Sequence, residues 1–340
     1  MRFAWIAASL AVAALLAPAA KADDAKTVVK VGVTDRPDNA GLFLAYRRGY
    51  FDREGISLEF VGGGSAASDF VSALGLNQVQ VAAGSPNAGF FNALGRGINI
   101  RIVADWSHVG GPDDGTFSLL ARTDLMDQGA IKTLADLKGR TIAVGPSHGS
   151  VNDIMIEAAL KKGGLGLSDA NLVLMGFADG IPAMASHKID AALLIEPLVT
   201  MAEGKGVAKL LATAGAVIPG YELAVVYYSP EFAHQTDLAT RYMIAYLEGR
   251  RDFHDAFFAK KDREAAIQVL AQDLPRVPAE LWRTAQPSDA DPNGEVNVAN
   301  ILVQGKYYKD NGEVSGPLPD IEKYVDRQFA EAAVKKIGRR

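Results

Sequence analysis

Short β-branched, apolar runs alternate with helix-period segments along most of this 340-residue chain, and this alternation restricts the fold more than any other feature. Residues 28–33 form the first apolar run, and a polar loop separates it from a helical pattern at 41–51. Further runs of this kind lie at residues 56–61, 79–83 and 98–104, with a helical pattern at 88–94 between the last two. This alternation predicts a parallel sheet covered by helices on both faces.

The second half of the chain repeats this plan. Residues 191–195 form a strand that leads through a turn to a helix at 198–204, which matches the earlier arrangement around 79–94. Since 340 residues, 49% of them hydrophobic, exceed what one core usually holds, we predict two similar α/β lobes. The predicted divisions are lobe 1 at 27–120, completed by 222–260; lobe 2 at 121–221; and a C-terminal helical segment at 261–340, packed on the lobes, with hinge crossings at 116–121 and 222–228.

The first 22 residues have the pattern of a secretory signal peptide. Arg2 supplies a cationic start, residues 4–16 are apolar, and the run Ala20-Lys21-Ala22 offers a cleavage site, so we predict cleavage near Ala22. The apolar run is too short to span a bilayer. We therefore expect a mature chain that is secreted, most simply into a bacterial periplasm.

Composition argues against several classes of function. The sequence contains no cysteine, which excludes disulfides, thiolate metal sites and a cysteine nucleophile. Its five histidines lack the spacing of a metal-ligand pair, so we expect neither a metal site nor a cofactor; they are His108, His148, His187, His234 and His254. The formal net charge is -5 and the charges are scattered, so nucleic acid is not an expected partner.

One turn suggests a binding site by its position and residue types. It follows the strand at 141–144 and precedes a helix that begins at Val151, with Ser147 or Ser150 as a natural N-cap. The first-turn amides of such a helix would project from the carboxyl edge of a parallel sheet, where α/β folds bind ligands. The turn is therefore a candidate binding site, and a simple capped helix is the alternative.

Small polar residues also follow the other strand ends, and they are Asp35, Asn39, Ser65, Ser85 and Asn87. In a doubly wound sheet the carboxyl ends of the strands meet at one edge. We therefore expect these side chains to face a single crevice.

Four segments, taken in order, resemble a known family. They read Gly-Leu-Phe-Leu-Ala-Tyr-Arg-Arg-Gly-Tyr-Phe at 41–51, Leu-Ala-Asp-Leu-Lys-Gly-Arg-Thr-Ile-Ala-Val at 134–144, Gly-Ser at 149–150 and Ile-Asp-Ala-Ala-Leu-Leu-Ile-Glu-Pro at 189–197. In this order and spacing, the chain to about Ala259 resembles the periplasmic substrate-binding proteins of ABC importers, in the branch that takes nitrate, alkanesulfonates, taurine and thiamine-pyrimidine precursors. The resemblance implies a two-lobed α/β fold of the type II periplasmic-binding-protein class, with a doubly wound, mostly parallel sheet in each lobe and C-terminal helices.

The resemblance also implies a function and a set of site residues. Two lobes would close on a small solute, and the protein, a monomer and not an enzyme, would deliver that solute to an ABC permease and its ATPase subunit. Trp106 could offer an aromatic face near the cleft mouth or could pack at the hinge. The candidate ligand-binding residues are Asp35, Asn39, Ser65, Ser85, Asn87, Trp106, His148, Ser150, Asn152, Asp153 and Glu196.

Charge in the candidate turns bears on the identity of the solute. Asp35, Asp153 and Glu196 would repel an anion, and the sulfonate-binding members of the family tend to have histidine where this sequence has Asp153. This favours a neutral or cationic nitrogenous solute, planar like a pyrimidine, over a sulfonate, nitrate or taurine. The helix N-terminus at Ser150 and a protonated His148 would favour an anion instead.

Other functions fit parts of the sequence. Residues 145–149 match the Gly-x-Ser-x-Gly nucleophile elbow, with Ser147 as nucleophile and Glu196 or Asp237, then His254, as its partners, although so short a motif is a weak signal. The pyrimidine synthases that share the implied fold use cysteine-rich chemistry, which a chain without cysteine does not fit. A periplasmic receptor that reports to a membrane signalling protein would use the same lobe closure, and the sequence leaves that alternative open.

Overall fold

The computed structural model describes residues 26–33, 37–62, 69–275, 277–284 and 288–340. The predicted signal peptide and the candidate residues Asp35 and Ser65 lie outside these ranges. Across the ranges that are described, no helix has both the length and the apolar character needed to cross a membrane.

Ten β-strands in the described residues form two five-stranded sheets. In chain order they are β1 (Thr27–Val33), β2 (Ile56–Gly62), β3 (Val81–Gly84), β4 (Arg101–His108), β5 (Phe117–Arg122), β6 (Thr141–Ala143), β7 (Asn171–Val173), β8 (Ala191–Ile195), β9 (Ala208–Thr213) and β10 (Glu222–Tyr228). The strand orders are β2-β1-β3-β10-β4 and β7-β6-β8-β5-β9. The first three strands in each order are parallel, whereas β10 and β5 run antiparallel to both neighbours. The predicted α/β fold of two similar, mostly parallel sheets is confirmed.

The chain crosses between the two sheets twice, and β10 returns to complete the first sheet. β5 follows β4 in the chain but pairs with β8 and β9, and β10 follows β9 but pairs with β3 and β4. This differs from the sequence-based division, which ended lobe 1 at residue 120 and treated 116–121 and 222–228 as hinge crossings. Because every residue of β5 and β10 is buried, these apolar segments pair within the sheets, and the chain crosses at 109–116 and 214–221 instead.

The two crossings lie directly against each other. The N–H of Val109 donates to the carbonyl oxygen of Tyr221 (2.8 Å), and the N–H of Gly220 donates to the carbonyl oxygen of Val109 (2.9 Å). A Cβ added to Gly215, in the second crossing, would overlap the carbonyl oxygen of Gly111 in the first. Backbone therefore packs on backbone here, and glycine is the residue that fits.

Helices cover both faces of each sheet. In chain order they are α1 (Ala40–Arg47), α2 (Tyr50–Arg53), α3 (Asp69–Gly75), α4 (Ala88–Gly95), α5 (Thr123–Asp127), α6 (Val151–Lys162), α7 (Phe177–Ala185), α8 (Leu198–Gly204), α9 (Ala214–Val217), α10 (Pro230–His234), α11 (Thr236–Phe257), α12 (Arg263–Asp273), α13 (Ala279–Thr284), α14 (Val298–Asp310) and α15 (Gln328–Ile337). On the first sheet, α1, α11 and α15 pack on one face and α4 and α14 on the other. On the second sheet, α7 and α8 lie on one face and α6 on the other.

Trp106, one of the candidate ligand-binding residues, lies in the core between β4 and α11. Its side chain is 3% exposed, and its ring stacks on that of Tyr246 with ring centroids 5.3 Å apart. Tyr246 belongs to the row of buried aromatic residues along α11. The structure therefore gives Trp106 a packing role, which is the alternative that the sequence had left open.

Two buried carboxyl groups join β4 to β10 beside the crossings. Asp105 and Glu222 are each 1% exposed. Asp105 Oδ2 accepts the N–H of Asp291 (2.6 Å) and lies 2.7 Å from Nδ1 of His108, and Glu222 Oε2 accepts the N–H of Asn297 (2.7 Å). Burial, followed by the negative charge of Asp105, raises the pKa of Glu222 to about 10. Glu222 therefore keeps its proton at neutral pH, because burial and the negative charge of Asp105 both disfavour the ionised form.

Candidate functional site

The turn after β3 meets the turn after β6 between the two sheets. The N–H of Ala88, the first residue of α4, donates to the carbonyl oxygen of Gly149 in the turn before α6 (3.3 Å). Gly149 has a φ of +77°, and a Cβ added there would lie 3.4 Å from the Cβ of Ala88 and 3.5 Å from Oε2 of Glu313. Because α4 packs on the first sheet and α6 on the second, we refer to this meeting point as the interlobe contact.

The interlobe contact gathers most of the candidate residues that the structure describes. Those in the two turns and at the adjoining helix starts are Ser85, Asn87, His148, Ser150, Asn152 and Asp153. Glu196 follows β8, which is the parallel neighbour of β6, so it lies at the same edge of the second sheet. Asn39 is buried at the N-terminus of α1, after β1, at the corresponding edge of the first sheet.

The N-terminus of α6 is capped by its own residues. Ser150 is the N-cap, and its Oγ accepts the N–H of Asn152 (3.3 Å). Asp153 Oδ2 accepts the N–H groups of Gly149 (2.7 Å) and Ser150 (3.3 Å), and Asp153 Oδ1 lies 3.0 Å from Nδ1 of His148. This is a capping box, and it uses amide donors that an anionic ligand would otherwise need.

Side-chain oxygens also accept first-turn N–H groups at the N-termini of α4 and α8. Asn87 Oδ1 accepts the N–H of Phe90 (3.0 Å) at the start of α4. At the start of α8, Glu196 Oε2 accepts the N–H of Thr200 (3.1 Å), and Glu196 Oε1 accepts the hydroxyl of the same threonine (2.9 Å). Side chains of the chain itself therefore occupy donors at all three of these helix starts.

Oxygen atoms near the interlobe contact are buried without hydrogen-bond partners. Among the described residues they include Ser85 Oγ, Asn152 Oδ1 and Glu313 Oε2. Thr116 Oγ1 is another, and its residue lies beside Glu196, whose N–H donates to the Thr116 carbonyl oxygen (2.9 Å). An unpaired buried polar atom costs about 1–3 kcal/mol, so each of these oxygens needs a hydrogen-bond partner that the chain does not supply, either a bound water or a ligand. The amide and carboxylate oxygens only accept hydrogen bonds, whereas the hydroxyls can also donate.

Glu313 is a site residue that the sequence analysis did not identify. It lies in the segment after α14, and its backbone N–H donates to the carbonyl oxygen of Tyr308 (2.9 Å). Asn92 of α4 holds this segment on both sides, because its Nδ2 donates to the Glu313 carbonyl oxygen and its Oδ1 accepts the N–H of Ser315 (both 2.8 Å). The local sequence Asn-Gly-Glu-Val-Ser-Gly resembles an ordinary surface turn, so it contains no signal for this position.

Electrostatic interactions also connect this C-terminal segment to α6. Burial and then the negative charge of Asp153 raise the pKa of Glu313, whereas the nearby His148 lowers it. Burial and then a hydrogen bond to Glu157 of α6 raise the pKa of Tyr307 in α14. The C-terminal segment therefore meets the second lobe at the interlobe contact and again at Glu157.

The residues named for the serine-hydrolase alternative make other contacts in the structure. His254 Nδ1 lies 3.1 Å from Asp289 Oδ1, and its ring stacks on that of Phe258. Asp237 pairs with Arg241 within α11, and Glu196 caps α8. The proposed triad is therefore not assembled around Ser147. No group of three or more histidine or carboxylate side chains in the described ranges is arranged to hold a metal ion.

Sequence comparison identifies one family and several curated relatives. The family model described as NMT1/THI5 like matches residues 36–255. A protein of Brucella abortus (strain 2308), named as a binding protein, is 30% identical over 149 residues, which are 43% of this chain and 44% of that protein. The match thus spans less than half the length of that relative.

Solved structures with the same fold include both binding proteins and an enzyme. The periplasmic aliphatic sulphonate binding protein SsuA from Escherichia coli matches with a TM-score of 0.70 at 19% identity, over 88% of this chain and 92% of SsuA. The periplasmic nitrate-binding protein NrtA from Synechocystis PCC 6803 gives 0.68 at 15% identity, over 92% and 89%. The desulfurization enzyme DSZB gives 0.66 at 15% identity, over 92% and 100%. These matches confirm the two-lobed type II periplasmic-binding-protein fold, and function must be argued from the site.

Proposed function

The chain belongs to the NMT1/THI5-like family, and on this basis we propose that it is the extracytoplasmic solute-binding component of an ABC-type importer. In this proposal the two lobes close on a small solute and deliver it to a permease and its ATPase subunit. Residues 1–22 would direct the chain to the periplasm and then be removed. Two adjacent crossings between the sheets support closure of this kind, because a few connecting residues can absorb a hinge motion.

The numbers of free hydrogen-bond donors and acceptors at the interlobe contact support a proposal about the class of solute. Asn87, Asp153 and Glu196 already occupy amide donors at three helix starts, whereas Ser85 Oγ and Asn152 Oδ1 are buried acceptors without partners. A solute that brings N–H donors would satisfy these oxygens. Nitrate and simple alkanesulfonates carry only acceptors at neutral pH, so a site of this kind favours a nitrogenous solute with N–H donors, such as an aminopyrimidine.

The structure changes the reason for this preference. From the sequence, Asp35, Asp153 and Glu196 are expected to repel an anion, whereas the helix N-terminus at Ser150 is expected to attract one. Asp153 and Glu196 cap helices, so they also reduce the power of those N-termini to bind an anion. Charge repulsion and the occupied helix N-termini thus favour the same class of solute.

A thermal-shift screen of residues 23–340 against aminopyrimidines, small amides, taurine, alkanesulfonates and nitrate tests the proposal. A ligand at 100 times its dissociation constant should add about 2.7 kcal/mol to the free energy of unfolding, which raises the melting temperature by a few degrees. We expect donor-bearing nitrogenous compounds to produce this shift. A shift with nitrate or sulfonates alone would contradict the proposed solute class, and no shift with any compound would contradict solute binding itself.

Two serine variants locate the binding site within the same screen. Ser85→Ala removes an unpartnered buried oxygen, so we expect it to reduce the ligand-induced shift without lowering the melting temperature of the free protein. Ser229→Ala is the matched control, because it removes the N-cap of α10 beside the start of β3, at the other end of that strand from Ser85, and should cost about 1 kcal/mol of stability while the ligand-induced shift persists. An unchanged ligand-induced shift in Ser85→Ala would exclude this crevice as the site.

A further inference from the structure

Glu313 lies outside residues 36–255, the part of the chain that the family model matches. Its position is fixed by hydrogen bonds at its own N–H and carbonyl oxygen and at the N–H of Ser315. Two of these three bonds are made by Asn92 of α4, and the third by Tyr308 of α14. The backbone is therefore held on both sides of a residue whose carboxyl group reaches the interlobe contact.

The carboxyl group that is held in this way has no partner for one of its oxygens. Glu313 Oε2 is buried, and within the described residues no lysine or arginine forms an ion pair with Glu313. The negative charge of Asp153 raises the pKa of Glu313, whereas His148, which is paired with Asp153, and the backbone N–H of Gly149 lower it. Glu313 as a residue is half-buried, but this one oxygen is shielded from solvent and has no donor, which costs free energy in the folded chain, so packing alone does not explain its position.

A second observation at the interlobe contact also suggests a ligand. Asn152 is 5% exposed and its Oδ1 has no hydrogen-bond partner, and it lies in the first turn of the helix that follows Gly149. Gly149 is the residue whose added Cβ would lie 3.5 Å from Glu313 Oε2. Two acceptors, one from each side of the interlobe contact, thus lack donors.

We propose that Glu313 contacts the positively charged group of the solute, so that the protein selects organic cations, such as amidinium or guanidinium compounds, over neutral compounds of the same shape. This inference rests on the proposed function, and it narrows the solute class from nitrogenous compounds to cationic ones. The charged N–H groups would donate to Glu313 Oε2 from one lobe and to Asn152 Oδ1 from the other, which would also favour the closed arrangement.

Matched pairs of probes test the proposal by isothermal titration calorimetry on residues 23–340. Benzamidine and benzamide share a shape but differ in charge, as do guanidinium and urea, and benzenesulfonate provides the anion. We expect the wild-type protein to bind each cation more tightly than its neutral counterpart. Glu313→Gln should weaken the cations about 10- to 100-fold and leave the neutral compounds within about twofold. Asp310→Asn is the control, since it removes an exposed carboxylate three residues away that pairs with Lys306.

The outcomes separate this proposal from the function on which it depends. Equal binding of cations by Glu313→Gln and the wild type, or a wild-type preference for the neutral or anionic probes, overturns the role of Glu313 while solute binding stands. An equal loss of cation affinity in Asp310→Asn also overturns the role of Glu313, because the net negative charge of the protein would then explain the effect. If no cation, neutral compound or anion binds, the proposed function fails together with this inference.

Discussion

Glu222 retains a proton that the unfolded chain would release at neutral pH. Its folded-state pKa of about 10 lies above the ordinary value of 4.5, so its contribution to stability is complete below pH 4.5 and is lost as the pH rises towards 10. Glu222→Gln keeps an acceptor for the Asn297 N–H and adds a permanent donor to Asp105. We expect this variant to exceed the wild type in free energy of unfolding at pH 8 by on the order of 1–3 kcal/mol, as measured by denaturant titration.

The difference between Glu222→Gln and the wild type should depend on pH. The difference in free energy of unfolding should be small at pH 5 and grow steadily to pH 9, because only the wild type releases a proton at this position when it unfolds. Glu331→Gln, at an exposed position on α15, is the control and should show a difference that stays near zero. A constant difference across the pH range would mean that Glu222 is not the titrating group.

The sequence predicted which residue types would lie at the site, but not whether their oxygens would bind a ligand or the backbone amides of their own helices. Ser150, Asp153 and Glu196 were identified because serine and carboxylates follow strand ends, and the same residues cap helices in the structure. Capping and ligand binding use the same atoms, so local sequence cannot distinguish them. Glu313 was missed because its place at the interlobe contact depends on Asn92, a residue far away in the chain.

The two chain crossings make the most specific prediction at the scale of structural elements. Gly215→Ala would place a Cβ against the carbonyl oxygen of Gly111 and 2.9 Å from the backbone nitrogen of Asp114, so the crossings must separate. We expect a loss of about 1–3 kcal/mol in the free energy of unfolding, read as a lower denaturant midpoint. Gly204→Ala is the control, since a Cβ there meets no atom within 4 Å and the exposed helical position should tolerate or prefer alanine. Similar midpoints for the two variants would show that the crossings do not pack as described.

Single elements were easier to predict than their pairing. The strand predicted at 191–195 agrees with β8, because a continuous apolar run bounded by turn residues defines a strand locally. β5 and β10 were also recognised as β-rich, yet they were assigned to crossings. Which sheet a buried strand joins is decided by contacts with distant strands, and periodicity contains no information about them.

At the scale of the whole molecule, the hydrogen bond from Ala88 to Gly149 ties one lobe to the other. Ala88→Pro removes that N–H at the first position of α4, where a helix tolerates proline, and the extended Asn87 (ψ 178°) suits the residue before it. We expect α4 to form normally while the lobes separate more readily. Small-angle X-ray scattering should then give a larger radius of gyration, and solute affinity should fall by about 2- to 10-fold.

Ala88→Gly is the control for this prediction, because it changes the same side chain but keeps the N–H. It should leave the radius of gyration and the solute affinity close to those of the wild type. If Ala88→Pro and Ala88→Gly scatter alike and bind alike, the interlobe hydrogen bond does not influence closure.

The return of β10 to the first sheet also sets an order of assembly during synthesis. β10 lies between β3 and β4, so β4 has no neighbouring strand in its own sheet until residues 222–228 have emerged. The second sheet, by contrast, is drawn from the continuous stretch 117–213. A chain that emerges amino end first therefore makes β1 to β4 of the first sheet, then the whole second sheet, and completes the first sheet only when β10 emerges. Its amino-terminal half must wait without a finished core, and in the export that we propose for this chain that interval would keep it in the unfolded state that a translocation channel accepts.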